Sequence, residues 1–322
     1  MPLQRGFDHH YGFYTGAIHY YTHEREGAFD WHRNGVPCSD EGYATHLLAR
    51  EAVRLVQQHD VAQPLFLYLP FNAPHTPLHV PEKYLEPYAH LTGNRRLYAG
   101  MVASLDEAIG QIVAAIDEKG MRDNTLFIFS SDNGGDFPGA TASNGPLRGK
   151  KGTLYEGGTR VAAFATWNGR IPAGSVVREA LHIVDWYPTL LKLAGARLEQ
   201  PLPLDGRDAW PTLAHGKPSP HDVILINTAL HNGAVRARDW KLILNGQVMD
   251  TDPKPEGPPV VELFNLADDP HEKRNLAAQR PDKVRELRAH LDQFAREAAP
   301  PKDAAKPRGF KSPKIWGEFS SK

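Results

Sequence analysis

Two short apolar runs, each ending abruptly in polar residues, constrain this chain most. Leu65-Phe66-Leu67-Tyr68-Leu69 runs into Asn72-Ala73-Pro74-His75, and Thr125 to Ser130 (TLFIFS) runs into Asp132-Asn133-Gly134-Gly135. Runs of this length, rich in aromatic and branched residues, read as buried strands. Between them, Met101, Leu105, Ile109, Ile112, Val113 and Ile116 recur at helical spacing within Arg95 to Lys119. A helix is expected from Glu41 to His59 on the same grounds, with Ala44, Leu47, Leu48, Ala52, Val53, Leu55 and Val56. Val161 to Trp167 is a third strand, and Asp185 to Leu193 is a helix with Pro188 in its first turn and Gly195 as its stop. Strands alternating with helices predict an α/β fold with a parallel sheet.

The texture changes after Gly216. Val223 to Ile226, Gly233 to Arg238, Trp240 to Leu244 and Val260 to Phe264 are short strand candidates with close turns, which predict a small antiparallel sheet. Lys283 to Ala298 is an amphipathic helix, and the Pro- and Lys-rich tail from Ala299 is either a loose arm or a strap. Two domains are expected, residues 1–215 and 216–322. The first 40 residues, rich in aromatics, His and Gly, read as ordered loop.

Charge narrows the function. The 37 Lys and Arg nearly balance 38 Asp and Glu, which gives no electrostatic case for nucleic acid or an anionic membrane. No uninterrupted apolar run of about 18 residues predicts a membrane helix. The first ten residues lack an apolar signal core, so the chain as encoded is expected in the cytoplasm. Cys38 is the single cysteine, which excludes an internal disulfide and a four-cysteine zinc site.

Ligands in open α/β sheets bind beyond the carboxyl ends of strands, where Asp132, Asn133 and His75 lie. Asp and Asn supply hard oxygen ligands for a divalent cation; they also commonly make turns. The loop Pro146 to Arg160 sets Arg148, Lys150 and Lys151 among glycines, which suits a sulfate or phosphate as well as it suits a solvated basic loop.

Taken in series, FLYLPFNAPHTPLHVPEKY, TLFIFSSDNGG, PLRGKKGTLYEGGTRVAAFATW, VDWYPTLLKLAG and LDGRDAW resemble the sulfatases, with the arylsulfatase B type the nearest likeness. RGFDHHYGFYTGAIHYYTHE and ELFNLADDPHEKRNLA extend the likeness from Arg5 to about Leu291. The resemblance implies an alkaline-phosphatase-superfamily fold: a truncated sheet flanked by helices, then a small antiparallel sheet with a helix. It implies that Asp132 and Asn133 are metal ligands, that His75 lies near the leaving-group oxygen, and that Lys151 reaches the sulfate. It also implies that Arg148 and His231 belong to the substrate pocket.

The resemblance also shows what this sequence lacks. Family members carry, ahead of RGFD, a strand ending in two metal-binding aspartates and a C-x-P-x-R signature whose Cys becomes formylglycine. Cys38 is followed by Asp40 and Gly42 where that signature needs Pro and Arg, so no formylglycine is expected. Without that first strand, its neighbour should expose a sheet edge, and a homodimer or larger assembly is expected to cover it. Calcium serves the family; here zinc or manganese is favoured, with His75 and one of His9, His10, His19 or His23 rebuilding the site.

The expected function is a metal-dependent, formylglycine-independent hydrolase of small phosphate esters that uses a metal-activated water. Diesters or triesters are favoured, with residual aryl sulfatase activity. The alternatives are an inactive sulfatase remnant that binds anions or assembles, and a fragment of a complete arylsulfatase. Complete family members are often periplasmic or secreted.

Overall fold

The computed structural model describes residues 1–136, 141–229, 232–246, 257–298 and 309–317. The chain forms two compact units. One comprises Met1–Arg122 with Pro138–Thr141 and Lys302–Lys322; the other comprises Asp123–Phe137 with Ala142–Pro301.

The first unit begins with two-residue strands linked by tight turns, which is the ordered loop expected there. Strands β1 (Tyr11–Gly12), β4 (His32–Arg33) and β5 (Val36–Pro37) form one antiparallel sheet in the order β1-β4-β5. Strands β2 (Glu24–Arg25) and β3 (Ala28–Phe29) form a hairpin. Buried Asp30 organises the segment by accepting hydrogen bonds from the backbone amides of Tyr14 and Thr15, each at 2.9 Å. Helix α1 (Ala44–Gln58) buries Ala44, Leu47, Leu48, Ala52 and Val56, one stripe at helical spacing. Helix α2 (Gly93–Glu118) buries Met101, Ala108, Ile112 and Ala115. The two helices pack together, and Leu47, Leu48 and Met101 share a core with Ile18, Tyr20, Trp31 and Tyr43. By length and composition α2 also meets the requirement for a membrane-crossing helix, although it contains no uninterrupted apolar run.

The described part of the tail, residues 309–317, acts as a strap. The Phe29 amide donates to the Lys314 carbonyl at 3.1 Å, the Trp316 amide to the Phe29 carbonyl at 2.9 Å, and the Trp316 ring N–H to the Arg25 carbonyl at 2.8 Å.

Leu65–Leu69 departs from expectation. The segment has no regular secondary structure and pairs with no strand among the described residues. Phe66 is 65% exposed and Tyr68 66%, whereas a buried strand was predicted. An apolar run reports a tendency to be covered, and here the cover is partial: Leu69 packs against the first unit's core and Phe66 lies beside Phe7.

In the second unit, β6 (Phe127–Ser130) pairs antiparallel with β7 (Ala163–Thr166), with Phe127 opposite Thr166 and Ser130 opposite Ala163. The predicted parallel sheet is therefore absent among the described residues: its remaining pair is antiparallel, and Phe164 on β7 is 50% exposed. The fold is still mixed α/β. Short helix α3 (Glu156–Thr159) precedes β7, and α4 (Trp186–Leu193) and α5 (Trp210–His215) follow it. Buried Asp185 leads into α4, accepting from the amides of His182 and Arg207 and facing His221 Nε2 at 2.7 Å. Gly206 is required beside it, since a Cβ there would lie 2.1 Å from the Val184 carbonyl oxygen.

The C-terminal sheet runs β11-β10-β9-β8, all antiparallel: β8 (Ile224–Ala229), β9 (Asn232–Ala237), β10 (Trp240–Leu244) and β11 (Val261–Asn265). Strand alternation divides its side chains. Val235, Leu242, Leu244 and Leu263 pack on Leu287 and Leu291 of helix α6 (Pro281–Glu297). Ala234, Ile243 and Phe264 pack on Leu154. The latter contacts correct the expected boundary at residue 215. The loop before β7 and the sheet after Gly216 share one core, so the chain divides near Arg122 instead.

Acid stability follows from the first unit. Burial lowers the pKa of His10, His23, His46 and His79, and neighbouring His32 and His9 add to the effect at His10. The unfolded chain then binds these protons at a higher pH than the folded chain. Stability is complete above the ordinary His value of about 6.5 and is lost as pH falls through the depressed folded values. Melting followed by circular dichroism between pH 8 and pH 5 should show a Tm that is flat above pH 7 and declines below about 6.5. A Tm that rises on acidification across that window would contradict the assignment.

Candidate functional site

The second unit builds its polar loop cluster from backbone packing that only glycine allows. The Gly134 amide donates to the Gly158 carbonyl at 3.0 Å, and the Gly157 amide to the Arg148 carbonyl at 2.6 Å. A Cβ on Gly134 would sit 1.8 Å from the Gly157 carbonyl oxygen, and one on Gly158 would sit 2.3 Å from that of Thr153. The glycines seen in the sequence are thus needed for close backbone approach. Asn144 clamps the same loops. Its Oδ1 accepts from the Gly135 amide at 2.8 Å, and its Nδ2 donates to the carbonyls of Gly135 (3.2 Å) and Gly149 (3.1 Å).

A buried ion cluster fastens this assembly to the C-terminal sheet. Lys241, on the face of β10 that also carries Ile243, is fully buried, and so is Glu272. The Lys241 ammonium lies 2.9 Å from Glu156 Oε1 and 3.0 Å from Glu272 Oε1. Glu272 Oε2 also accepts the Glu156 amide at 2.6 Å. Burial pushes the Glu272 carboxyl above its ordinary range, opposed by Lys241.

The cluster presents three functional groups. Asp132 is exposed, and its carboxylate accepts no hydrogen bond from described residues. Asn133 donates its Nδ2 to the Gly134 carbonyl at 2.9 Å, which leaves Oδ1 free to accept. The Lys151 amide holds the Gly135 carbonyl at 3.2 Å, while its exposed ammonium has no partner among the described residues. These are the expected ligand pair and the expected anion-reaching lysine, placed on one backbone assembly.

Arg148 has a different task from the substrate contact expected of it. Its guanidinium donates to Glu262 Oε1 at 2.9 Å, to the Glu272 carbonyl at 3.1 Å and to the Tyr155 hydroxyl at 3.1 Å. It also lies 3.9 Å from the centre of the Tyr155 ring. It braces the loop against the sheet. His231 lies outside the described residues. His75, in the first unit, is exposed; its Nδ1 lies 2.7 Å from the Thr76 carbonyl, which makes Nδ1 the donor and leaves Nε2 unengaged among the described residues.

The four N-terminal histidines are occupied elsewhere. His9 Nε2 is 2.8 Å from Glu51, which Arg33 and Arg54 also bind. Burial alone would raise the Glu51 carboxyl, but hydrogen bonds from those arginines outweigh it and hold the pKa down to about 2. His10 stacks on Tyr14, His23 on Trp31, and His19 accepts the amides of Tyr21 and Thr22. Cys38 is half-buried, and burial raises its thiol pKa, which disfavours the thiolate.

Metal fit follows from these donors. Among the described residues no group of three or more His, Cys, Asp or Glu side chains gathers to hold an ion. The histidine-rebuilt site favouring zinc or manganese is therefore not formed there. Asp132 and Asn133 offer two hard oxygens, which suit a calcium- or magnesium-like cation in kind but supply only part of its shell of about six to eight ligands.

Sequence inspection missed Asn144, Lys241 and Glu272. Lys241 carried a signal: it occupies an inward position of the apolar strand WKLIL. Replacing it with Met should leave Glu272 without a cation and Glu156 with only Arg160 and Arg236 at 3.9 Å, and cost about 3–5 kcal/mol, read as a lower urea midpoint. Lys241→Met combined with Glu156→Gln and Glu272→Gln should recover much of that loss; equal midpoints for wild type and the single variant would refute the role.

Comparison with known proteins identifies the family. The Sulfatase family profile matches residues 1–196. Mouse arylsulfatase J is 34% identical over 94% of this chain and 59% of its own length. Mouse N-acetylgalactosamine-6-sulfatase is 32% identical over 67% of this chain and 44% of its own. The crystal structure of Ps i-CgsB in complex with k-i-k-neocarrahexaose superposes with a TM-score of 0.79 at 30% identity, covering 92% of this chain and 68% of that one. The chain thus spans about three fifths of the length of arylsulfatase J. The family match over residues 1–196 and these likenesses place the chain in the sulfatase family.

Proposed function

We propose that this chain hydrolyses small sulfate or phosphate esters by direct attack of water, without formylglycine. The observation that carries the proposal is the grouping of the Asp132 carboxylate, the Asn133 amide oxygen and the Lys151 ammonium, each without a partner among the described residues, on loops joined by backbone hydrogen bonds. Sulfatase relatives support an ester of an oxyanion as the substrate.

Each group has a chemical task. Asp132 and Asn133 would hold a divalent cation, which when bound neutralises ester oxygens and acidifies a water. Lys151 balances charge that grows on the non-bridging oxygens in the transition state. Burial raises the pKa of the half-buried Cys38 thiol, which disfavours a thiolate there, and the proposal assigns the attack to water. With Arg148 committed to Glu262, the positive charge around the ester is modest. That favours phosphate diesters and triesters, which carry one negative charge or none, over phosphate monoesters, which carry up to two.

Hydrolysis of an aryl sulfate and of aryl phosphate mono-, di- and triesters, with chelator and with added calcium, magnesium, manganese or zinc, tests this. Turnover should require added metal, and Asp132→Ala should lower kcat/KM on the order of 100-fold or more. Lys151→Ala should lower kcat more than it raises KM. A folded wild type no faster than Asp132→Ala on any ester would reject hydrolysis and favour an anion-binding remnant. That alternative draws on the absence of a third clustered ligand among the described residues.

A further inference from the structure

Pro70 to Pro81 contains four prolines and neither helix nor strand, so no ladder of backbone bonds holds it. Among the described residues its backbone bonds to itself twice, from the His75 amide to the Asn72 carbonyl at 2.8 Å and from the His79 amide to the Pro77 carbonyl at 2.9 Å. Two buried tyrosines add to this hold. The Tyr20 hydroxyl lies 2.9 Å from the Asn72 carbonyl oxygen and 2.9 Å from that of His75, so one proton is shared between the two ends of a single turn. The Tyr43 hydroxyl donates to the His79 carbonyl at 2.9 Å. The two rings stack with centroids 5.2 Å apart. Tyr20 is itself fixed: it is fully buried in the first unit's core, and its own carbonyl accepts the Ala44 amide, at the start of α1, at 2.8 Å. Burial pushes its phenol pKa up, which keeps the donated proton in place.

We propose that Tyr20 is a positioning residue for His75. Its hydroxyl draws the Asn72 and His75 carbonyls onto one donor, which sets the turn that carries the imidazole. The same turn aims the Thr76 carbonyl at His75 Nδ1, 2.7 Å away, so Nδ1 keeps the proton and neutral His75 offers a lone pair at Nε2. Without the hydroxyl, two carbonyl dipoles converge with no donor between them, and the turn should relax. The imidazole would then sample both tautomers, as a free side chain does. A histidine held in one tautomer and one place is ready to take or give a proton, which a loosely held one is not. That such a proton serves an ester rests on the hydrolysis proposed above; the hold of Tyr20 on His75 does not.

Proton–nitrogen correlation spectra of the full chain, isotopically labelled at histidine, report the tautomer of each imidazole, and His75→Gln identifies the His75 signal. At about pH 8, where imidazoles are neutral, wild type should show His75 protonated at Nδ1. Tyr20→Phe should shift it toward a mixture with the Nε2–H form. Tyr43→Phe removes a comparably buried hydroxyl from the same stack; it should lower Tm as Tyr20→Phe does and leave the His75 tautomer unchanged. If the chain hydrolyses esters, Tyr20→Phe should lower kcat on the order of 10-fold or more with KM little changed, and should add little in a His75→Ala background. Without any substitution, the wild-type His75 amide should exchange far more slowly than an unstructured loop amide. An unchanged tautomer in Tyr20→Phe, equal shifts in both Phe variants, fully additive kinetic losses, or a wild-type His75 amide exchanging at the unstructured rate would each overturn the assignment. A shifted tautomer with no turnover of any ester would uphold the role of Tyr20 and reject the hydrolysis.

Discussion

The buried ammonium of Lys241 is the interaction on which this unit's candidate site depends. A lysine with no solvent exposure needs opposite charge close at hand, and Glu156 and Glu272 supply it at 2.9 and 3.0 Å. Glu156 opens the short helix α3, so the same contact that neutralises Lys241 fixes the start of α3 on the C-terminal sheet. Gly157 and Gly158 follow directly, and their backbone contacts with Arg148 and Gly134 place the Asp132–Asn133 turn. Position passes from sheet to loop through charge, and from loop to loop through glycine.

Much of this was legible in the sequence wherever a residue's job is local. Apolar spacing located α1, α2 and α6 to within a few residues, and alternation located the four C-terminal strands. The Asp132–Asn133 pair was visible as a candidate ligand pair, and the structure places it just after β6. The glycines of the 134–158 region were visible as a loop, although their purpose, backbone approach within hydrogen-bond distance, appears only in three dimensions. Asp185 and Gly206 show the same limit. The resemblance motifs VDW and LDGRD hold them, and the structure gives both a packing role around the start of α4.

What was not legible depended on distant partners. Leu65–Leu69 has the pattern of a buried strand, but burial is a property of neighbours, and the described residues provide only partial cover. Arg148 looked like an anion ligand because its nearest neighbours in sequence are cationic and glycine-rich. Its actual partner, Glu262, lies more than a hundred residues away on β11. Free-looking histidines near the N-terminus are engaged by Glu51, by aromatic rings and by backbone amides. The domain boundary was misplaced for a related reason: a change of texture near Gly216 marks a change of secondary structure, not of core, because Leu154 and Phe264 pack together.

Amide hydrogen exchange at Gly134, Glu156 and Gly157 tests the central claim directly. If Lys241 anchors the loop cluster, these amides open only when the C-terminal sheet opens, and their protection should equal that of the β9 and β10 amides. Exchange near the rate of an unstructured loop, with β9 and β10 still protected, would show that the loops are not fastened to the sheet and would contradict the account.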